Sequence, residues 1–429
     1  MTLKTFMSAM VLAISSLALS AQNTALQVTT DKPEGIYRNG ENVIFNIQVL
    51  ENGKPAPGEK FSYELWTDGQ KPMKNSAVSA AEPIQVKSAL DKPGWTHIAV
   101  SLTDKDGKPI AKSVKRLGAM IDPESIKPGA DEPKDFDAFW KEQRETLNKV
   151  PVKAILDDAG VIEKDGVKYR CYDVKIDCAS VAPVSGYLTI PEGAKPGSLK
   201  AVVYYHGAGV RSSDKQMNPN AIVLDVNAHG ILNGQPREFY QYLNRTNLSG
   251  YQFRNAEDRY KFYFREMFLR VMRALDYMKN RPEWNGKDLI AYGSSQGGAQ
   301  ALAAAGLDPQ VTLCVACVPA LSDHGGLLAG RESGWPRLIR LDKDGKPDNA
   351  KIAETSGYYD SANFAKRIKA ETCMSAGFID TVCVPTSVYA AYNSLPAGTK
   401  KIMYNMPAMG HVGNNPPGQK RLQEVLSAK

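Results

Sequence analysis

The chain of 429 residues is poor in cysteine and histidine and carries no block of like charge. Its six cysteines are Cys171, Cys178, Cys314, Cys317, Cys373 and Cys383. With none before Cys171, a lipid-modified cysteine near the N-terminus is excluded. Most lie in apolar, strand-like runs and read as buried free thiols. A Cys171–Cys178 link is left open, because connectivity is not legible in sequence. Cys314-Val-Ala-Cys317 has redox spacing, but it sits inside the strand-like run VTLCVACVPAL and not at a helix start, which argues against thiol exchange. With five histidines and no His/Asp cluster at ligand spacing, neither a metal nor another cofactor is expected. The net charge of +7 is spread along the chain. Without Lys/Arg blocks interleaved with aromatics, nucleic acid is not an expected partner. Beyond the N-terminus no run is apolar enough to span a membrane.

At this length two domains are the natural prior. The opening MTLKTFMSAMVLAISSLALSAQ joins Lys4 to an apolar run and then small residues, the pattern of a secretory signal peptide over residues 1–21, with cleavage after Ser20 or Ala21. An N-terminal anchor is the other reading, but the run is short for a span. The mature protein is therefore expected in the periplasm or outside the cell, with no stable membrane insertion. Residues 22–118 alternate in the manner of short strands, with hairpin signals at Asn52-Gly53 and Asp106-Gly107, and read as an immunoglobulin-like β-sandwich. The Asn52-Gly53 turn is expected to join two strands of the run ENVIFNIQVLENGKPAPGEKFSYELWTDG. No catalytic cluster stands there, and His97, on a strand beside Trp95, reads as a packed or surface residue. DKDGKPD, Asp342 to Asp348, lacks the spacing and terminal glutamate of a calcium loop and reads as a turn.

From residue 119 to 429 the pattern changes. Phe136, Phe139, Trp140 and Leu147 form the apolar stripe of a helix. Apolar strand-like runs then alternate with helices, which predicts a mostly parallel sheet covered on both faces, the α/β-hydrolase fold. Within it, AYGSSQGG, Ala291 to Gly298, contains the G-x-S-x-G pattern Gly293-Ser294-Ser295-Gln296-Gly297. The strand-like DLIAYG precedes it and the alanine-rich helix SSQGGAQALAAAGL follows, which is the context of a nucleophile elbow.

A serine hydroxyl needs an imidazole to take its proton, and the imidazole needs a carboxylate to fix its tautomer. In this fold the chain order is serine, acid, histidine. His411, in the Gly-containing loop after the strand KKIMYN, is the expected base. Asp380, at the end of the apolar run TCMSAGFID, is the expected acid, with Asp323 and Asp360 as alternatives. Asp308, Asp342, Asp344 and Asp348 read as solvated. For the oxyanion, the backbone N–H groups of Gln296 and of Ala208, in the loop His206-Gly207-Ala208-Gly209, are the expected donors. His206 is expected to shape that loop.

The runs YKFYFREMFLRVMRALDYM, GSSQGGAQALAAAGLDP, YYDSANFAKRIKAET, GFIDTVCVPTSVYAAYN and MGH resemble the acetyl xylan esterases and cephalosporin C deacetylases of carbohydrate esterase family seven, from about Pro123 to the C-terminus. The resemblance implies metal-independent removal of acetyl groups from sugar hydroxyls through Ser295, Asp380 and His411, with acetylated xylan or its oligosaccharides as substrate. Three departures stand out. Asn227-Ala228-His229 occupies the place of the usual Arg-Gly-Gln, Val412 that of a glutamate, and Ala208 that of a common tyrosine. A peptidase or broader short-chain carboxylesterase of the same fold is the alternative. A non-catalytic carbohydrate-binding protein is disfavoured, because all three triad residues are present. A homo-oligomer is compatible with the sequence.

Overall fold

Alternation of apolar and polar residues builds the first unit. In the strand Asn42–Glu51, Val43, Phe45, Ile47 and Val49 are buried and their neighbours point the other way, as a period of two dictates. The computed structural model describes residues 24–411 and 416–428. The expected signal peptide lies outside the described residues, as does Val412. Thr24–Thr30, Asn42–Glu51, Lys54–Pro55 and Ile84–Ala89 form a four-stranded sheet. Ile36–Tyr37, Lys115–Ile121, Gly94–Leu102, Lys60–Thr67 and Met73–Val78 form a five-stranded one. Phe45, Phe61, Ile98 and Val100 fill the space between them.

One expectation needs correction here. Asn52 and Gly53 do turn the chain with positive φ, 50° and 78°, but the hairpin closes on Lys54–Pro55 alone. Pro55 and Pro57 offer no ladder donors, and the next long strand, Lys60–Thr67, pairs with Gly94–Leu102 in the other sheet. The strand Lys115–Ile121 runs across the position where the sequence suggests a seam between the units. Ala119, Met120 and Ile121 are fully buried, so the strand continues while there is core to cover.

The second unit is a nine-stranded sheet. Its strands are β1 Ala154–Lys164, β2 Val167–Ile176, β3 Val184–Pro191, β4 Leu199–Tyr205, β5 Ala221–Asn227, β6 Trp284–Ser294, β7 Leu313–Cys317, β8 Glu371–Gly377 and β9 Lys401–Met406. They lie in the order β1-β2-β3-β5-β4-β6-β7-β8-β9. The first three pair antiparallel and the six from β5 to β9 run parallel. β5 and β7 are buried at every position, as expected of parallel strands covered on both faces. Helices Phe136–Asn148, Tyr263–Lys279, Gln296–Leu307 and Pro385–Asn393 contribute to the hydrophobic layer on one face. Leu422 and Leu426 of the helix Pro416–Ser427 cover the other. β4 has β5 on one side and β6 on the other, so the chain order reverses there. Crevices at the carboxyl ends of such strands are where open α/β sheets bind ligands. No helix among the described residues is long and apolar enough to cross a membrane.

Candidate active site

Ser295 stands alone between β6 and the helix Gln296–Leu307, with φ 58° and ψ −124°. A non-glycine residue held there costs on the order of 1–3 kcal/mol, so the surroundings must impose the conformation. The Ser295 N–H donates to Cys317 O at 2.9 Å, and the Ser295 carbonyl accepts from Ala299 N and Ala320 N at 3.1 and 3.0 Å. The flanking glycines are required by close approach. A Cβ on Gly293 would stand 2.1 Å from Gly297 O, and one on Gly297 would stand 1.9 Å from Tyr205 O.

The loops after β8 and β9 converge on this elbow. Asp380 lies just beyond the last residue of β8, Gly377, and is completely buried. Its Oδ1 accepts from Val382 N and Cys383 N at 2.7 and 3.0 Å. Its Oδ2 meets His411 Nδ1 at 2.9 Å, and His411 Nε2 meets Ser295 Oγ at 3.0 Å. These distances suit a carboxylate that orients an imidazole and an imidazole that takes a serine proton.

The remaining histidines serve the packing. Burial pushes His97, His206 and His324 down to about 4 and His229 to about 3, so all four are neutral near pH 7. His206 accepts from Ala228 N at Nε2 and lies 3.2 Å from Gly207 O at Nδ1, bracing the loop after β4. The alternative acids are engaged elsewhere. Asp360 accepts from the amides of Asp323, His324 and Ala362. Asp323 pairs with Arg331 at 2.7 Å and accepts from Gly129 N. Asp308, expected to be solvated, is instead 3% exposed and paired with Lys279 at 2.5 Å. The pairing partner sits on the neighbouring helix, which makes burial of the charge tolerable. All six cysteines are free.

Gln296 opens its helix, so its N–H has no intrahelical acceptor. The loop from His206 to Gly209 lies against the elbow, and a Cβ on Gly207 would be 3.6 Å from Ser295 Cβ. Ala208 and Ser295 line the same cleft, of about 750 Å³, with Trp335 and Tyr292 in its wall and Arg211 and Gln423 among its polar groups. Trp335 went unmarked in the sequence, since nothing in GRESGWPRLIRL shows that the segment reaches the wall of the serine's cleft. Asp225 also lines the cleft and is only 3% exposed. Burial, with Asp214 nearby, pushes its carboxyl up to about 7. Asp380, Cys383 and His411 also present three donor atoms within 4.8 Å of one another, a spacing that could hold a cation. As ligands they fit poorly: the Asp380 oxygens accept from Val382, Cys383 and the His411 ring, and burial raises the Cys383 thiol far above its ordinary value.

A mostly parallel sheet with a strained serine at a strand–helix elbow defines an α/β-hydrolase. Comparison with known proteins narrows the class. The acetyl xylan esterase (AXE1) family model matches residues 123–426, and the chain belongs to that family. It is therefore a carboxylic ester hydrolase. The chain is 31% identical over 378 residues to the acetyl esterase Axe7A of Xylanibacter ruminicola, covering 86% of this chain and 83% of that protein. Among solved structures it is similar to the acetyl xylan esterase from Paenibacillus sp. R4, with a TM-score of 0.56 and 28% identity over 71% of this chain and 97% of the other. It also shares the fold of acetyl xylan esterase 1 from Thermoanaerobacterium sp. JW/SL YS485, with a TM-score of 0.57 and 24% identity over 71% of this chain and 96% of the other.

Proposed function

We propose that this protein is an exported serine esterase that removes acetyl groups from acetylated xylan or xylo-oligosaccharides through Ser295, His411 and Asp380. The observation that carries the mechanism is the unbroken path from Asp380 Oδ2 to His411 Nδ1 at 2.9 Å and from His411 Nε2 to Ser295 Oγ at 3.0 Å. Family membership supports the acetyl ester, and the composition of residues 1–21 supports export to the periplasm or beyond.

In the first half-reaction His411 Nε2 accepts the Ser295 proton as Oγ attacks the acetyl carbonyl. The N–H groups of Gln296 and Ala208 receive the negative oxygen that forms. His411 then returns the proton to the departing sugar oxygen, leaving acetyl on Ser295 and a free sugar hydroxyl. In the second half-reaction His411 takes a proton from water as the water oxygen attacks the acyl-enzyme, then gives that proton to Oγ as acetic acid leaves and ionises to acetate in solvent. Asp380 holds the imidazole with Nδ1 protonated and stabilises the imidazolium.

The decisive measurement is acetate released from acetylated xylan and xylo-oligosaccharides by the wild type and by Ser295→Ala. The proposal expects release by the wild type and near-background rates from the variant, whose fold should be intact. A variant retaining more than about a tenth of the wild-type rate would remove Ser295 from the mechanism, since loss of a triad nucleophile costs several orders of magnitude.

A further inference from the structure

The sandwich holds no catalytic group, yet its five-stranded sheet touches both loops that deliver the acid and the base. In that sheet Trp95 pairs with Met120 and His97 with Gly118. Ile98 and Val100 face the sandwich core, so Trp95 and His97, one position out of phase, face the hydrolase unit. Trp95 is 2% exposed and packs in the hydrophobic layer of that unit. Its indole Nε1–H donates to Phe378 O at 2.5 Å. On the next strand the Gly118 N–H donates to Pro407 O at 2.8 Å. Phe378 lies just ahead of Asp380, and Pro407 just ahead of His411.

The fit at these points is close. A Cβ on Gly118 would stand 1.9 Å from Phe378 O, so this approach requires glycine. The indole of Trp95 is fixed by a stack in which His97 lies between Trp66 and Trp95, with ring centroids 4.5 and 4.7 Å apart and planes within 9°. Among the described residues neither His97 ring nitrogen has a hydrogen-bond partner, and its neutrality lets it pack as a flat apolar spacer. The two catalytic loops also hold each other. Phe378 N–H donates to Met406 O and Ile379 N–H to Met409 O, at 2.9 and 3.1 Å. A displacement of Phe378 is therefore transmitted to both loops.

We propose that the N-terminal sandwich positions the acid and the base: Trp95 and Gly118 hold the Phe378–Asp380 and Pro407–His411 loops in mutual register. Both are positioning residues acting through the backbone carbonyls of Phe378 and Pro407. A third contact acts in the same sense, since Glu332 N donates to Asp68 Oδ1 at 2.8 Å and anchors the segment that brings Trp335 to the wall of the cleft. The inference rests on the triad reading above.

The test is Trp95→Phe, which deletes the indole donor and keeps an aromatic ring, made alone and together with Asp380→Asn. Small displacements of catalytic groups cost up to about a hundredfold in rate. Trp95→Phe alone should lower kcat roughly tenfold with KM within about twofold, because orientation and not substrate binding is lost. In the Asp380→Asn background it should add less than about twofold, since the register between acid and base that it maintains has already lost its acid. By hydrogen exchange, residues 377–382 and 406–411 should lose protection while the rest of β8 keeps it. Gly118→Ala, which presses a methyl on Phe378 O, should give the same kcat loss by an independent route and carries the test if Trp95→Phe does not fold. A wild-type kcat in the folded variant, or a loss that multiplies undiminished onto Asp380→Asn, would overturn the positioning role. A mild Asp380→Asn would overturn the triad reading itself, whatever Trp95→Phe does.

Discussion

Asp225→Asn should stabilise the protein in alkaline solution and much less in mild acid. Asp225 lies on β5 in the wall of the cleft, 3% exposed, and among the described residues its Oδ1 has no hydrogen-bond partner. Burial, then repulsion from Asp214, raises its carboxyl from 3.8 to about 7. Between those values the folded state keeps a proton that the unfolded chain has released. Native protein then binds more protons than unfolded protein, so stability falls as pH rises across this window. Below it both states are protonated and nothing is lost; above it the full cost of a buried carboxylate is present. At 1.36 kcal/mol per unit, the cost above the window is at most about 4 kcal/mol. Asparagine has a similar shape and no charge to desolvate. Urea unfolding of wild type and variant should be followed near pH 5 and near pH 8. The variant should gain about 2–3 kcal/mol more, relative to wild type, at the higher pH. An equal difference at the two values would refute the argument and show that the carboxylate is solvated or paired.

Asp380→Asn should leave a folded enzyme with kcat lower by about four orders of magnitude, because the imidazole loses its orienting acceptor; if Asp360→Asn were as damaging and Asp380→Asn mild, the acid has been misassigned. Gly297→Ala should abolish p-nitrophenyl acetate hydrolysis, because its methyl would have to occupy space 1.9 Å from Tyr205 O; normal turnover would show an elbow far softer than its geometry. Across p-nitrophenyl acetate, propionate, butyrate and octanoate, kcat/KM should fall in graded steps, each methylene being worth about 1–3 kcal/mol. An optimum at octanoate would favour a lipase-like enzyme, and a sharp loss already at propionate would show that Ala208 does not widen the acyl site. Prolonged EDTA treatment should leave turnover unchanged, and loss of activity restored by a divalent ion would contradict a base supplied by His411.

The elements that depend on short windows of chain were legible in the sequence. The stripe Phe136, Phe139, Trp140 and Leu147 is the buried face of its helix, because a helix repeats within a few residues. Ser295 could be placed between a strand and a helix for the same reason. The candidate triad followed from chain order, and only five histidines had to be sorted. What tertiary structure decided involved partners far apart in sequence. Asp308 looked like a turn residue until Lys279, on another helix, was brought to it. The Asn52-Gly53 hairpin was visible, but whether Lys60–Thr67 joined its neighbour or crossed to the other sheet depended on which core its apolar face could cover. The contact of Trp95 with Phe378, across 283 positions of chain, had no local signature. A strand's own sequence states which side is apolar; which surface covers that side is set only when the sheets pack, since burial is a property of the assembled layers.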